Sequence, residues 1–452
     1  MTFNGSAQVN FTVAGGQSLS SANITVNGAL FDNQAVTIAT GIKDIGTVTV
    51  TNNDDDKLEA VLVGTDLVLK EKATISAGTV IDTNFINEGS ESLITGGEIK
   101  AVFVGTDLTS GNVDTEVQGG KFSKFFVGGA LVKTEAADMG TVTVTVSGGE
   151  FADRIYGAGY AYGIGDVDAD TVELHVAKSE VVLSGGTVND GVFGGAHARK
   201  NAHVLVDAVD INISGGTFKD IFGGGWAERS STSTVTSATI DMSAGFAKYI
   251  FAGGANSSDS ASINGSEAAA ASGDTAPAVA ISLTGSADAD YIFLSSKHAN
   301  SKVYGDVTLT VSDCDSDKGF DFTRISGMAG CGVDNTSGTT KVVLESDLSL
   351  KYLDFVDELQ IAEGCTLNID EKLLVEYNNE MIVRLDLGEN GYDGSEWTLM
   401  SGAALNDSWQ LDHVKFVLVS NGEESDLSLG ADGLIKTTDE NGKSIIKYSQ
   451  LS

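Results

Sequence analysis

Three ring-bearing side chains occupy the same position in three consecutive copies of a repeated segment. Tyr160, His197 and Trp226 each follow directly after a glycine-rich turn, in "YGAGY", "FGGAH" and "FGGGW". If the copies stack, the rings form a column on a flat β-surface, which suits binding of sugar rings or of a partner's side chains. These residues are the candidate ligand-binding site. A column of rings also stabilises adjacent turns without any ligand, and this is the interpretation that we favour.

Two short segments place aspartates at alternate positions, as calcium-binding loops do. The residues concerned are Asp166, Asp168, Asp170, Asp313, Asp315 and Asp317. Neither segment has the glycine at the sixth position or the glutamate at the twelfth that an EF-hand loop needs. We therefore expect solvated acidic loops. Weak Ca²⁺ binding stays a hypothesis because the chain is so acidic, and no other cofactor is predicted.

The glycine-rich turns do not match a phosphate-binding loop, which needs a lysine and a serine or threonine opening a helix. The residues that follow the turns are Ala130, Tyr160, His197, Trp226 and Ala255. The five histidines show no metal-ligand spacing, and no serine-nucleophile motif or cysteine–histidine pairing is evident. We therefore predict that the protein is not an enzyme and has no catalytic residues.

The composition favours a β-rich globular chain. It has 452 residues, with 27 Lys and Arg against 63 Asp and Glu and a formal net charge of −36. Such a charge repels nucleic acid and anionic membrane surfaces, so neither is an expected partner. Glycine occurs 55 times and proline once. Many glycines with almost no proline suit tight turns in a chain that keeps its backbone hydrogen-bond donors.

The cysteines and apolar segments indicate little about location. Cys314, Cys331 and Cys365 are too few for a disulfide framework. Cys314 and Cys331 could pair across a short loop, although scattered free thiols are favoured. No apolar stretch is long enough for a membrane-spanning helix. The first residues, "MTFNGSAQVNF", are not a signal peptide, so we expect a cytoplasmic protein, signal-independent export, or a chain separated from its leader.

A glycine-centred motif recurs along the chain and determines the predicted fold. An alternating run such as "TVTVTVSGG" leads into a glycine turn, a short apolar run and a second glycine turn. Copies begin at Thr95, Gln118, Ser147, Ser184, Ser214, Ser243 and Thr284. Alternation predicts a strand with one buried face, and a constant motif at variable intervals is typical of stacked repeats. We predict an all-β fold, a right-handed parallel β-helix (β-solenoid) with β-rich capping regions.

Aligning the copies predicts two neighbouring columns of apolar side chains. One column contains Phe126, Tyr156, Phe193, Phe222, Phe251 and Phe293. The other, one residue earlier, contains Phe125, Ile155, Val192, Ile221, Ile250 and Ile292. Because side chains alternate along a strand, only one of these columns can point into the core. The hydroxyl residue that opens most copies is expected to form hydroxyl ladders or turn bonds.

The motif also divides the chain into three regions. Residues 1–75 are expected to form an N-terminal β cap and first coils, and residues 76–340 the repeat region. Residues 257–280 are a low-complexity loop inserted in that region, and residues 341–452 are C-terminal β-rich coils and a cap. Caps are expected because an open end would expose an unpaired strand edge.

The recurring "SGG" turns on Thr/Val-rich strands resemble those of bacterial autotransporter passengers and related right-handed β-helix adhesins. The resemblance covers roughly residues 60–330, and the segment "DGSEWTLMSGAAL" (393–405) resembles the one that closes such passengers. It implies export to the bacterial surface and a role in adhesion or aggregation. The expected partner is a glycan or protein surface of a host or neighbouring cell, or a second copy of the chain.

The predicted function is therefore a non-enzymatic, extracellular or cell-surface protein for attachment or aggregation. The first alternative is a self-assembling filament or surface-layer subunit, because the ends of stacked β-repeats pair readily when caps are weak. The second alternative is a β-helix enzyme that degrades polysaccharides.

Overall fold

The computed structural model describes most of the chain. The described residues are 2–4, 11–27, 36–52, 58–63, 66–133, 136–163, 172–257, 260–265, 278–316, 319–328, 338–375, 380–388 and 396–449. Strands dominate throughout, which confirms the all-β class. None of the described helices is long and apolar enough to span a membrane.

The N-terminal residues form a separate five-stranded sheet in the order β1-β2-β3-β5-β4. Its strands are β1 Thr2–Asn4, β2 Phe11–Asn27, β3 Val36–Asn52, β4 Leu58–Val63 and β5 Asp66–Glu71. The first three strands pair in parallel, whereas β5 pairs antiparallel with β3 and β4. Ile42, Leu67 and Leu69 are buried. This sheet ends just before residue 73, close to the predicted boundary of the first region.

All later strands belong to one sheet of 35 strands. They are β6 Ala73–Ile75, β7 Val80–Ile81, β8 Phe85–Ile86, β9 Glu91–Ile94, β10 Glu98–Ile99, β11 Phe103–Thr106, β12 Ser110–Val117, β13 Lys121–Phe122, β14 Phe126–Val132, β15 Ala137–Val146, β16 Glu150–Phe151, β17 Ile155–Tyr156, β18 Gly159–Tyr162, β19 Glu173–Leu183, β20 Thr187–Phe193, β21 His197–Arg199, β22 His203–Phe222, β23 Trp226–Glu228, β24 Thr232–Phe251, β25 Ala255–Asn256, β26 Ala261–Asn264, β27 Val279–Phe293, β28 Lys302–Val303, β29 Val307–Cys314, β30 Phe320–Ser326, β31 Thr340–Leu344, β32 Leu348–Asp354, β33 Glu358–Ala362, β34 Leu367–Leu374, β35 Met381–Asp386, β36 Trp397–Gly402, β37 Val414–Ser420, β38 Glu423–Leu427, β39 Leu434–Thr438 and β40 Ser444–Tyr448.

Strands of one repeat pair in parallel with the equivalent strands of the next repeat. The long strand β22 pairs with β19 on one side and with β24 on the other, and short strands such as β21 and β23 pair in the same way. Parallel pairing continues after the motif disappears from the sequence, through β31 and β33 to β35 and β37. Alternating burial along β15 and β19 confirms that these strands bury one face.

The register corrects both predicted columns at one copy of the motif. Ile155, Val192, Ile221, Ile250 and Ile292 pair in sequence, as aligned, but the residue paired with Ile155 is Phe126 rather than Phe125. The column here called the inner column therefore consists of Phe126, Ile155, Val192, Ile221, Ile250 and Ile292, and Val127 pairs with Tyr156 in the other column. The alignment was shifted by one residue in this copy because "KFFVGGA" offers two adjacent phenylalanines for one position.

The glycines serve two different physical purposes. Gly216, in a Ser-Gly-Gly turn, has a φ angle of 100°, a backbone conformation that residues other than glycine adopt only with strain. Gly129, in the second glycine pair, is needed for close approach, because a Cβ there would lie 1.8 Å from the Ala158 carbonyl oxygen. The Ser147 and Ser243 hydroxyls donate at 3.5 and 3.4 Å to the Val117 and Ile213 carbonyls of the preceding repeat, so they link successive repeats and do not close a turn locally.

The C-terminal end changes from parallel to antiparallel pairing. β38 pairs antiparallel with β37, and β40 pairs antiparallel with β36 and β39. A 3-10 helix at Ala403–Asn406 and the short helix α1 at Ser408–Leu411 lie between β36 and β37. The Asp407 carboxylate caps α1 by accepting from the backbone N–H groups of Trp409 and Gln410.

Candidate functional site

A second apolar cluster lies on the opposite side of the repeat strands from the main core. The inner column belongs to the main core, whereas Tyr156, Phe193, Phe222, Phe251 and Phe293 form a separate buried cluster, here called the outer ladder. Its consecutive ring centroids are 5.3, 4.2, 4.9 and 5.0 Å apart. Alternation therefore does direct the two columns to opposite faces, but both columns are buried.

The three ring-bearing residues at the second glycine turn do form one column. Tyr160 pairs with His197, and His197 pairs with Trp226. The Tyr160 and His197 rings stack at 4.5 Å with an angle of 12° between their planes. Their expected exposure was wrong: Tyr160 and His197 are only 8% and 4% exposed, and Trp226 is half-buried.

The reason for this burial is that the column packs on the outer ladder. The His197 ring stacks on Tyr156 at 4.8 Å, and Trp226 meets Phe193 edge-on at 5.9 Å. The Arg154 guanidinium lies 4.3 Å from the Trp226 ring centroid, which covers one ring face with a cation. The rings thus contact their own protein, and the column offers no open platform.

Charged residues beside this ring column form ion pairs and hydrogen bonds with it. The His197 Nε2 and Arg199 Nε atoms lie 3.3 and 2.8 Å from the Glu228 Oε1 atom. Hydrogen bonding to His197 and the nearby Arg199 charge keep the pKa of the Glu228 carboxyl below its usual value, against the effect of burial. Burial lowers the pKa of the His197 imidazole despite that hydrogen bond. His197 is therefore neutral at pH 7, with its Nε2–H donating to Glu228.

A cleft opens on the face that carries the outer ladder, two repeats after the one that contains His197. This outer cleft, with a volume of about 380 Å³, lies between Asp220, Tyr249, Phe251, Phe293, Lys297 and His298. The Asp220 Oδ2 atom accepts from the Lys297 ammonium at 2.6 Å. The other oxygen, Oδ1, is buried and has no hydrogen-bond partner among the described residues, and Asp220 as a whole is only 1% exposed. An unpartnered buried carboxylate oxygen is costly, so Oδ1 needs a donor that the described side chains do not supply.

The cleft forms where the ring column is interrupted. Trp226 pairs with Ala255. The Trp226 backbone N–H donates to the carbonyl of Ala196, the residue before His197, at 3.0 Å. In the same way, the Lys297 backbone N–H donates to the carbonyl of Gly254, the residue before Ala255, at 3.1 Å. Lys297 is thus the next member of the column after Ala255. Because Ala255 has no ring, the ladder ring Phe222 lacks the cover that His197 gives Tyr156 and Trp226 gives Phe193, and space remains above the outer ladder.

The outer cleft is not evident from the repeated motif, although the sequence contains a signal for it. Asp220 and Lys297 are 77 residues apart and come from different copies of the motif. Counting from the aromatic residue in "YIFLSSK" places Lys297 where "IFGGGW" places Trp226. Continuing the column by this count identifies Lys297 as the charged successor of Trp226. The vacant carboxylate oxygen of Asp220 has no counterpart in the sequence.

No protein-family model, curated protein or solved structure matches the chain.

The six aspartates of the calcium hypothesis are only partly described. Asp166, Asp168, Asp170 and Asp317 lie outside the described residues. Asp313 and Asp315 lie at the end of β29, where the Asp315 N–H donates to the Gly285 carbonyl at 2.9 Å. Within the described ranges, no three His, Cys, Asp or Glu side chains are placed to hold a metal ion. Calcium binding stays a prediction.

The thiol pairing and the inserted loop also fall partly outside the described chain. Cys314 and Cys365 are free and half-buried, whereas Cys331 is not among the described residues. Most of the predicted inserted loop, residues 266–277 and 258–259, is likewise not described.

Proposed function

We propose that the chain is a right-handed parallel β-helix with β-rich caps that acts without catalysis as a bacterial surface or secreted protein. Its proposed role is attachment to a glycan or protein surface of another cell, or aggregation of cells. The observation that carries the proposal is the parallel register of successive repeats, which extends from β6 and β9 to β35 and β37. Equivalent side chains therefore recur along the outer face at roughly 4.8 Å.

Two features support this architecture. The long strand β22 pairs with the equivalent strand one repeat earlier and one repeat later, which is the pairing expected when each repeat makes one coil. The inner column continues without interruption from Phe126 through Ile155 to Ile292. Such a column gives a stacked β-structure a continuous core. An elongated array then presents a long, regular surface for contact with another cell.

The polar groups of the ring column support a structural role rather than catalysis. Glu228 is held ionised by His197 and Arg199, so it is a poor general acid. His197 is buried under Tyr160 and against Tyr156, where a substrate has no access to its ring. These side chains are engaged with one another, as residues that stabilise turns are.

Binding to whole cells tests this function. Fluorescently labelled, monomeric protein is incubated with bacterial and epithelial cells, and binding is measured by flow cytometry; an unrelated protein of similar negative charge is the control. We expect saturable binding that unlabelled protein displaces. Absence of binding, with polymers visible by negative-stain microscopy, would instead favour a filament subunit. Calcium-dependent cleavage of acidic polysaccharides would favour an enzyme.

The filament alternative has less support from the C-terminal end. β38 lies antiparallel beyond the last parallel pair and carries the exposed acids Glu423, Glu424 and Asp426. Charged side chains on a terminal strand disfavour its pairing with a strand of another chain. We therefore expect this end to oppose polymerisation.

A further inference from the structure

We propose that the outer cleft binds a neutral sugar ring, with a ligand hydroxyl donating to the vacant Oδ1 atom of Asp220. This inference deepens the proposed function by naming a ligand class, and it rests on that function only for its biological setting. The cleft volume of about 380 Å³ falls within the range of small-molecule sites.

The carboxylate defines the polar requirement of the cleft. Asp220 lines the cleft, is 1% exposed, and uses only Oδ2 to accept from Lys297. The unsatisfied Oδ1 requires a hydrogen-bond donor, and a bond from a neutral hydroxyl to a charged carboxylate is stronger than one between neutral groups. A sugar hydroxyl supplies this donor without adding charge.

The local charges exclude ionic ligands. Lys297 neutralises Asp220, and Lys219 lies at the rim, with its Nζ atom 3.7 Å from Asp190. A cationic ligand would meet two ammonium groups close to a single carboxylate that is already paired. An anionic ligand would have to approach a chain of net charge −36 and compete with Asp220 for Lys297. A neutral, hydroxyl-rich ligand avoids both costs.

The aromatic wall suits the oxygen atoms of a sugar. Phe251 stacks between Phe222 and Phe293, and Tyr249 stacks on Tyr291 at 5.0 Å. Because the ring faces are used within these stacks, ring edges remain to line the cleft. Ring edges carry partial positive charge, so they favour ligand oxygens. The Lys297 ammonium, which has three donors, can contact a further hydroxyl.

A glycan array of neutral and uronic-acid-containing oligosaccharides tests the inference. We expect the wild-type chain to bind neutral members, and Asp220→Asn to weaken the Kd for the best of them at least ten-fold in calorimetry. Asp354→Asn is the matched control, because Asp354 is also 1% exposed and ion-paired, to Arg324, but lies outside the cleft. It should leave the Kd unchanged.

Several results would overturn the inference. They are no binding to any array member, binding only to uronic-acid members, or equal affinity of wild type and Asp220→Asn. If Asp220→Asn does not fold, Tyr249→Leu replaces it, since it changes the half-buried wall but keeps it apolar; unchanged affinity then counts against the cleft. If the wild-type chain binds cells but no neutral sugar, the inference fails while the proposed function stands.

Discussion

At the scale of single residues, burial determines the behaviour of His197 more than its neighbouring carboxylate does. Burial lowers the pKa of its imidazole, so the folded protein takes up a proton less readily than the unfolded chain. As the pH falls below about 6.5, the unfolded chain gains the proton first and the free energy of unfolding decreases. His197→Gln should therefore lose less thermal stability than wild type between pH 7.5 and 5.5, measured as Tm by circular dichroism.

His175 provides a control, because its pKa is shifted in the direction opposite to that of His197. Hydrogen bonding to Asp138, with a second bond to Asp207, raises the pKa of the His175 imidazole. Its stabilisation is thus present below about pH 6.5 and is lost as the pH rises through the folded-state pKa. His175→Gln should lose more Tm than wild type on the same acidification. Shifts in one direction for both variants would contradict the assignment of burial as the cause at His197.

At the scale of elements, both faces of a repeat strand are buried where the strand ends at the second glycine turn. Ile221 points into the main core and Phe222 into the outer ladder, and their exposed fractions are 0% and 1%. We expect Phe222→Ala to reduce the free energy of unfolding by about 3–5 kcal/mol, and Ile221→Ala by about 2–5 kcal/mol. Urea unfolding measures both. A loss below about 1 kcal/mol for Phe222→Ala would be typical of a surface substitution and would show that the outer ladder is not a packed cluster.

The glycine turns give a second prediction at this scale. Gly216→Ala places a side chain at φ of 100°, where its Cβ would also lie 2.6 Å from the Phe218 ring and 2.9 Å from the Gly185 carbonyl. Gly78→Ala has a similar φ of 88° but no atom within 4 Å. Backbone strain should reduce the free energy of unfolding of both variants by about 1–3 kcal/mol. The reduction should be larger for Gly216→Ala because its Cβ is also crowded. Equal losses in urea unfolding would show that crowding contributes nothing.

At the scale of the whole molecule, the net charge of −36 opposes compaction. Screening weakens repulsion between exposed charges because the Debye length shortens from about 30 Å at 0.01 M salt to about 10 Å at 0.1 M. We expect the Tm to rise when NaCl is increased over this range, measured by differential scanning fluorimetry. A fall would mean that surface ion pairs outweigh the repulsion. A further rise in CaCl₂ of equal ionic strength would support the calcium hypothesis.

The repeats and their turns follow from the sequence, whereas coverage of the outer face does not. Alternation fixes which way Phe222 points, but it contains no information about whether other side chains then cover it. That depends on side chains from other copies of the motif, such as Lys297, whose ammonium lies 5.5 Å from the Phe222 ring centroid. The shift at Phe126 has a similar origin, since two adjacent aromatic residues fit the motif equally well until pairing selects one. The vacancy on Asp220 depends on three-dimensional placement alone.

The interruption of the ring column at Ala255 shows how such an array can diversify. Ala255 keeps the same backbone hydrogen bonds as its larger neighbours, with its N–H donating to Gly225 at 3.0 Å. The backbone supplies the scaffold, so exchanging one side chain in a column creates or removes a recess without altering the turns on either side. A protein built in this way can acquire or lose binding specificity one position at a time, and at many points along its length.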